Sequence, residues 1–501
     1  EPLADSFDPA NAGRYVAIMR EWGLAPVPAS ARIPGNVETV YVLSRVTLGA
    51  DIKIASIVLD AMKRRFPAAR IVFVGGRKSR ELFEADSRLE FLEAEYPRSG
   101  PVSERIAFGR GLRARFTGAN RIVIDPDSRM TQLGLIEVCE PEAYFHFPSR
   151  SIGGTALENL TDLTNRWLKD TFGVTGKAFV APRAVPAERE HPAVAISLGV
   201  GQNESKRVGG DFETRLIAEL ARRYRTVWID RGAGGEEARR VTAAVQAAGV
   251  EARFWDGSFA GFASIVGQCD FYVGYDSAGQ HAAAALRVPL ITVFAGAPSE
   301  IFRARWRAQG PGSQIAVNAD DLPAANTLRR VLLLLPRTSV QIDSLGDLIR
   351  AVFPSTVFTG GVTTCSCEEC TEVQSDFGNR AWKDIAPEVV DRTGSQALFT
   401  VEAMAAFLPL FLIRGLEMRD KNVVLEFGIY SLTADVDREE AEVAARERRR
   451  LAELRKLLTS EQVTVVREWL YAAAAVLPHP DHFLARVDAA ATEFWTSGSA
   501  N

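Results

Sequence analysis

The run Tyr275-Asp276-Ser277-Ala278-Gly279-Gln280-His281 holds the densest chemistry in the sequence. It follows an apolar stretch and leads into a small-residue segment, Ala282–Leu286, then Val288-Pro289-Leu290-Ile291-Thr292-Val293-Phe294. This reads as a buried strand that ends in Asp-Ser and passes straight into a helix. The free N–H groups and dipole of such a helix start suit a phosphate. Ser277 can cap the helix and also reach a phosphate oxygen, and Ala278 and Gly279 let a ligand approach the backbone. Plain N-capping by Asp276 or Ser277 is the bland alternative. His281 is either a packed histidine or a catalytic one.

Other candidates lie at strand-to-helix junctions. In Ser44-Arg45-Val46-Thr47-Leu48-Gly49-Ala50-Asp51, Asp51 could take a proton from an acceptor hydroxyl or cap a helix. Gly201-Gln202-Asn203-Glu204-Ser205-Lys206-Arg207 offers two cations for an anionic ligand, or a solvated surface pair. Arg231-Gly232-Ala233-Gly234-Gly235-Glu236-Glu237 combines a glycine cluster with carboxylates that could accept from ribose hydroxyls, and it lacks the dinucleotide fingerprint. Phe254 and Trp255 flank a base or pack a core. Asp125-Pro126-Asp127 reads as a turn rather than a metal pair.

Cys365-Ser366-Cys367-Glu368-Glu369-Cys370 supplies three thiols in a short loop. A structural zinc site needs four ligands, and Asp376, His479 or His482 could complete it; free thiols or a labile disulfide are the alternatives.

The elements that position these residues alternate. Val37–Leu43, Arg70–Val74 and Arg121–Ile124 read as strands buried on both faces, with a helix over Ile52–Phe66 and a turn over Leu48–Asp51. After the proline-bearing segment Lys177–Pro192 the alternation restarts: strands at Ala193–Leu198, Thr226–Asp230, Asp270–Gly274 and Leu290–Phe294 enclose helices at Phe212–Arg223, Glu236–Ala248 and Ser277–Leu286. From about Pro354 helical patterns dominate, at Val401–Ile413, Glu439–Leu458, Ser460–Leu477 and Asp481–Phe494. The expected fold class is α/β: two tandem doubly wound, Rossmann-like domains and a mostly α-helical C-terminal domain. The domains are an N-terminal extension over 1–34, two Rossmann-like domains over 35–180 and 181–353, and a helical accessory domain over 354–501. Ligands of such sheets bind beyond the carboxyl ends of the strands, here the cleft between two sheets.

Length and charge set the limits. The chain has 501 residues, too many for one core, and 59 basic against 63 acidic groups give a net charge of -4. No basic excess points to nucleic acid. No apolar run approaches the ~20 residues of a membrane span, and no signal peptide is expected from a start that lacks a basic and an apolar region. Few cysteines argue against a secreted disulfide framework, so a cytoplasmic location is expected.

The pattern from Asp276 to His281, with the alanine-rich helix and Val-Pro-Leu-Ile-Thr-Val-Phe, resembles the signature of the bacterial heptosyltransferases of glycosyltransferase family nine. The resemblance covers roughly Val37 to Ala351, and Ala278 stands where the family usually has glycine. It implies the GT-B fold and an inverting, metal-independent transfer from a nucleotide diphosphate sugar bound mainly to the second domain. The loop before Asp51 is similar to the family's first loop, which carries a proposed general base, although Ala50 separates Gly49 from Asp51. The loop ending at Lys206 and Arg207 resembles the one that neutralises the donor diphosphate. The implied donor site thus comprises Lys206, Arg207, Glu236, Asp276, Ser277, Ala278, Gly279 and His281, with Asp51 catalytic. The implied acceptor is a glycan or glycolipid, as in lipopolysaccharide synthesis, reached in the cytoplasm or at the inner face of the membrane. No cofactor is implied for transfer; Cys365, Cys367 and Cys370 remain a separate candidate zinc site. A nucleotide-sugar epimerase on the same fold, or a non-catalytic scaffold, are the competing readings.

Overall fold

Among the described residues eleven strands form two sheets, every strand pairing parallel, because the crossovers between consecutive strands are helical. The structure is a computed structural model; it describes all residues but 1–3, 31, 202, 233, 313, 321, 336–338, 394–397, 419–421, 435–440, 478–479 and 496–501. The first sheet contains β1 (Thr39–Leu43), β2 (Arg70–Gly75), β3 (Leu89–Glu93), β4 (Arg121–Asp125) and β5 (Tyr144–His146), in the order β3-β2-β1-β4-β5. The second contains β6 (Ala193–Ser197), β7 (Thr226–Asp230), β8 (Arg253–Trp255), β9 (Phe271–Tyr275), β10 (Leu290–Phe294) and β11 (Gln314–Asn318), in the order β11-β10-β9-β6-β7-β8. The fold class is the one expected, with the strand order reversing at β1/β4 and at β9/β6.

Strands β1, β6, β9 and β10 are buried along their whole length, which is why they read as unbroken apolar runs. Val40, Val42, Ile71, Phe73, Ile122 and Ile124 pack under the helix Ser56–Arg65 in one core. Ala193, Ala195, Tyr272 and Leu290 pack with Phe262 and Ile265 in another.

The expected turn at Leu48–Asp51 is helical instead. Leu48–Ala50 forms a first turn, Asp51–Ala55 a π-helical turn, and Ser56–Arg65 continues as α-helix. A π turn takes up one extra residue without ending the helix. This is the stretch in which Ala50 separates Gly49 from Asp51.

The N-terminal extension joins both lobes of this α/β unit. Its helix, Pro9–Glu21, is capped by Asp8 through the Ala10 N–H. Ahead of it, Phe7 packs edge-on against Phe302 and Trp306 of the second lobe, and Asp5 pairs with Arg129 and Arg150 of the first. Asp125 and Asp127 likewise hold the turn after β4: Asp125 accepts from Ser128, Thr131 and Tyr144, and Asp127 pairs with Arg150 and His146.

The chain divides into two compact units, Glu1–Val331 and Leu332–Asn501. The second is helical and starts ahead of Pro354, because Ser339–Val352 packs on the helices Val401–Glu417 and Ser460–Val476. Trp469 is fully buried there, its indole N–H donating to the Leu412 carbonyl, while Gly415 and Gly428 leave room for its ring. Among the described residues, no helix is long and apolar enough to cross a membrane.

Candidate functional site

β9 delivers the Asp276–His281 run to the middle of the second sheet, beside the reversal at β6. The helix Ala278–Ala285 starts at once, with Ser277 in the N-cap position. Neither candidate cap is made: the Ser277 side chain makes no cap hydrogen bond, and the Asp276 carboxylate is engaged elsewhere. The Ser277 hydroxyl is buried beside that of Tyr272, and neither makes a hydrogen bond of good geometry. Asp276 is turned away: its Oδ2 accepts from Lys206 Nζ at 2.6 Å and its Oδ1 from Gln280 Nε2 at 2.5 Å.

Ser277 and Ala278 open onto a cavity of about 660 Å³. Its second-lobe wall is built from the carboxyl ends of β6 and β7, Ser197 and Asp230, and the loops that follow. Leu48, Arg77 and Lys78 face them from the first lobe. Asp230, Glu237 and Asp256 make this wall acidic. Burial raises the Asp230 carboxyl to about 6, against the N–H of Gly232, and the charge of Glu237 pushes the same way. Such carboxylates suit hydroxyl donors such as a ribose diol.

A second cavity, about 450 Å³, lies in the first lobe and shares Arg77 and Lys78 with the first. Ser44 and Ser79 line it, and both bond Asp51 behind them. The Ser44 hydroxyl donates to Asp51 Oδ2 at 2.7 Å and the Arg45 N–H to Oδ1 at 2.6 Å. Asp51 has no exposed surface. Burial raises it to about 6, more than these hydrogen bonds and the charge of Arg45 lower it. The turn before it is strained: Val46, a β-branched residue, sits at a φ of 75°.

The helix starts of the two lobes meet at Gly49. A Cβ there would lie 3.3 Å from His281 Cδ2 and 3.4 Å from Ala278 Cα. His281 is buried behind this contact, 5.8 Å from the Trp306 ring, and burial with the nearby Lys53 and Lys206 holds it well below the usual histidine range, hence neutral. Lys53 bridges the lobes, donating to Asn159 Oδ1 at 2.7 Å and to the Arg307 carbonyl at 2.8 Å.

The expected site residues thus separate into groups. Ser277 and Ala278 line the cavity. Lys206 and Asp276 pair immediately beside it. Arg207 is held by Glu204 and by the buried Glu213. Glu236 is exposed in the first turn of its helix, whereas Glu237 lines the cavity and accepts from the Val200 N–H. Phe259, not Phe254 or Trp255, brings an aromatic ring to the wall. Sequence reasoning missed Ser197, Asp230, Arg77 and Lys78, although a polar residue that closes a buried strand ahead of glycines was a usable signal.

Gly279 is a packing requirement. A methyl built on it would overlap the Tyr272 hydroxyl and lie 2.7 Å from Cζ, and Gly274 borders the same hydroxyl. Overpacking of this kind costs about 1–3 kcal/mol. Gly279→Ala is therefore expected to lower the denaturation midpoint, and Tyr272→Phe in the same chain to return part of the loss; additive effects would show that the two residues do not clash.

No family model matches this chain, and no curated protein does. Among the solved structures similar to it are glycosyltransferases. The glycosyl transferase family 9 structure from Veillonella parvula is 14% identical, with a TM-score of 0.43 over 56% of this chain and 86% of that one. The E. coli heptosyltransferase WaaC with ADP is 17% identical, with a TM-score of 0.43 over 58% and 98%. The E. coli ADP-heptose lps heptosyltransferase II is 16% identical, with a TM-score of 0.40 over 59% and 98%.

Proposed function

We propose that this protein is an inverting glycosyltransferase that moves a sugar from a nucleotide diphosphate to an acceptor hydroxyl without a metal cofactor. One observation carries the reading: a helix start whose N-cap side chain leaves its amides unbonded opens into a cavity where the carboxyl ends of two parallel sheets face each other. The amides after Ser277 bind the diphosphate, with Lys206 beside them, and Asp230 and Glu237 accept from the ribose.

The acceptor occupies the first-lobe cavity. Its hydroxyl gives its proton to Ser44 Oγ, which passes its own to Asp51. The acceptor oxygen then bonds the anomeric carbon from the face opposite the diphosphate, and the bond to the diphosphate oxygen breaks. The developing negative charge falls on the helix start. Arg77, Lys78 and Arg98 outnumber Glu95 on the cavity wall and suit an acceptor with acidic groups, such as a glycan or glycolipid made in the cytoplasm or at the inner membrane face for the cell surface. The epimerase reading loses one of its two acid/base groups, since His281 is neutral and buried behind Gly49.

A thermal-shift series over nucleoside diphosphates tests the donor site. The matching nucleotide is expected to raise the midpoint with concentration, following RT ln(1 + [L]/Kd). If calorimetry detects no nucleoside diphosphate at millimolar concentration, the transferase reading fails.

A further inference from the structure

The helical unit carries a cluster of its own. Cys365 Sγ lies 3.2 Å from Cys367 Sγ and 3.0 Å from Cys370 Sγ, and all three sulfurs are within 4.8 Å of one another. Cys365 and Cys367 are exposed and Cys370 is buried. A zinc–sulfur bond of ~2.3 Å places tetrahedral thiolates about 3.8 Å apart. Two of the observed separations are under an ångström shorter than this, so a single ion needs only a small spreading of the three sulfurs. The triangle is too small for a cluster in which several irons and sulfides stand between the cysteines.

The surrounding backbone fixes this triangle. Thr363 Oγ1 donates to the carbonyls of Cys365 and Cys370, at 3.2 and 3.4 Å, and Thr371 Oγ1 to that of Cys367 at 2.9 Å. The Val362 N–H donates to Gln374 Oε1, and the Val362 carbonyl accepts from Thr400, the N-cap of Val401–Glu417. The loop is thus tied at both ends to helices, with its three thiols turned toward one point. A disulfide would use two of the sulfurs and strand the third. Cys365 is about equally near both partners, so the geometry selects neither pair.

We propose that Cys365, Cys367 and Cys370 supply three of the four ligands of one thiophilic divalent ion, zinc, with water in the fourth position, and so pin this loop to the start of the helix Glu368–Phe377. Binding releases the thiol protons and forms three sulfur–metal bonds with no change of oxidation state.

The test uses the full chain, purified anaerobically with reductant and stripped of metal. Cobalt(II) is expected to bind one per chain with an intense near-ultraviolet thiolate band, and zinc(II) to displace it. Cys367→Ser is the informative variant, since residue 367 is exposed and serine is a good N-cap, so the fold is kept. It should weaken zinc at least tenfold, with Cys365→Ser behaving alike and Cys269→Ala unchanged. Three results would each overturn the proposal: equal zinc affinity in Cys367→Ser and the parent, no cobalt uptake by the reduced chain, or a disulfide between two of the three cysteines under these conditions.

Discussion

Asp51→Asn is expected to cut the turnover number by roughly 10²–10⁴-fold, the usual worth of a general base, while nucleoside diphosphate affinity stays within about twofold. The substitution is nearly isosteric, and the site can accept it. The new amide can keep its oxygen on the Arg45 N–H and turn its NH₂ toward Ser44, whose hydroxyl rotates to accept. The fold should gain. Between pH 3.8 and about 6 the folded chain holds a proton on Asp51 that the unfolded chain has released. Stability from this group therefore falls as pH rises through that window, and above it the deficit is complete, about 3 kcal/mol. At pH 7 the variant should melt at or above the temperature of the parent. For the parent, kcat/KM should fall tenfold per pH unit below about 6, because the base must be unprotonated in the free enzyme. Retained turnover in Asp51→Asn would remove the base from Asp51. An acid limb that survives in the variant belongs to Asp230 of the donor wall, which burial also raises to about 6.

A buried acid that destabilises its own fold is hard to see in a sequence. Asp51 was legible as a polar residue at a strand-to-helix junction, but its burial behind Ser44 and Ser79 depends on the neighbouring strand's loop, Gly75–Ser79, which no local pattern announces. The strands divide along the same line. β1, β2, β4, β6, β7, β9 and β10 all read out of the sequence, and all are interior to their sheets. β3, β5, β8 and β11 did not, and they are the four edges. An interior strand of a parallel sheet is covered on both faces and must be apolar throughout, whereas an edge such as Leu89–Glu93 or Arg253–Trp255 is half exposed and carries charge. The donor loops behaved likewise. Ser277 and Ala278 follow from the strand they end, while the choice of Glu237 over Glu236 is one of helix phase and needs the helix to be placed.

Lys206→Met should weaken nucleoside diphosphate binding by about 100-fold or more and also lower the melting temperature, and the two losses have separable causes. Lys206 Nζ sits on Asp276, whose carboxylate is almost wholly buried and, among the described residues, has only Gln280 as its other side-chain donor. Removing the cation leaves that carboxylate unpaired, and an uncompensated buried charge costs about 3–5 kcal/mol. The same carboxylate then stays unneutralised behind the helix start, one residue before Ser277, where it repels the arriving diphosphate, and the lysine's own hydrogen bond to phosphate is gone. Asp276→Asn in the same chain removes the first problem and the repulsion, but it does not supply a cation. The double variant is therefore expected to recover most of the melting temperature and to remain at least tenfold weaker for nucleotide. Full recovery of affinity would mean that Lys206 serves only to neutralise Asp276, and that the helix start after Ser277 holds the diphosphate without it.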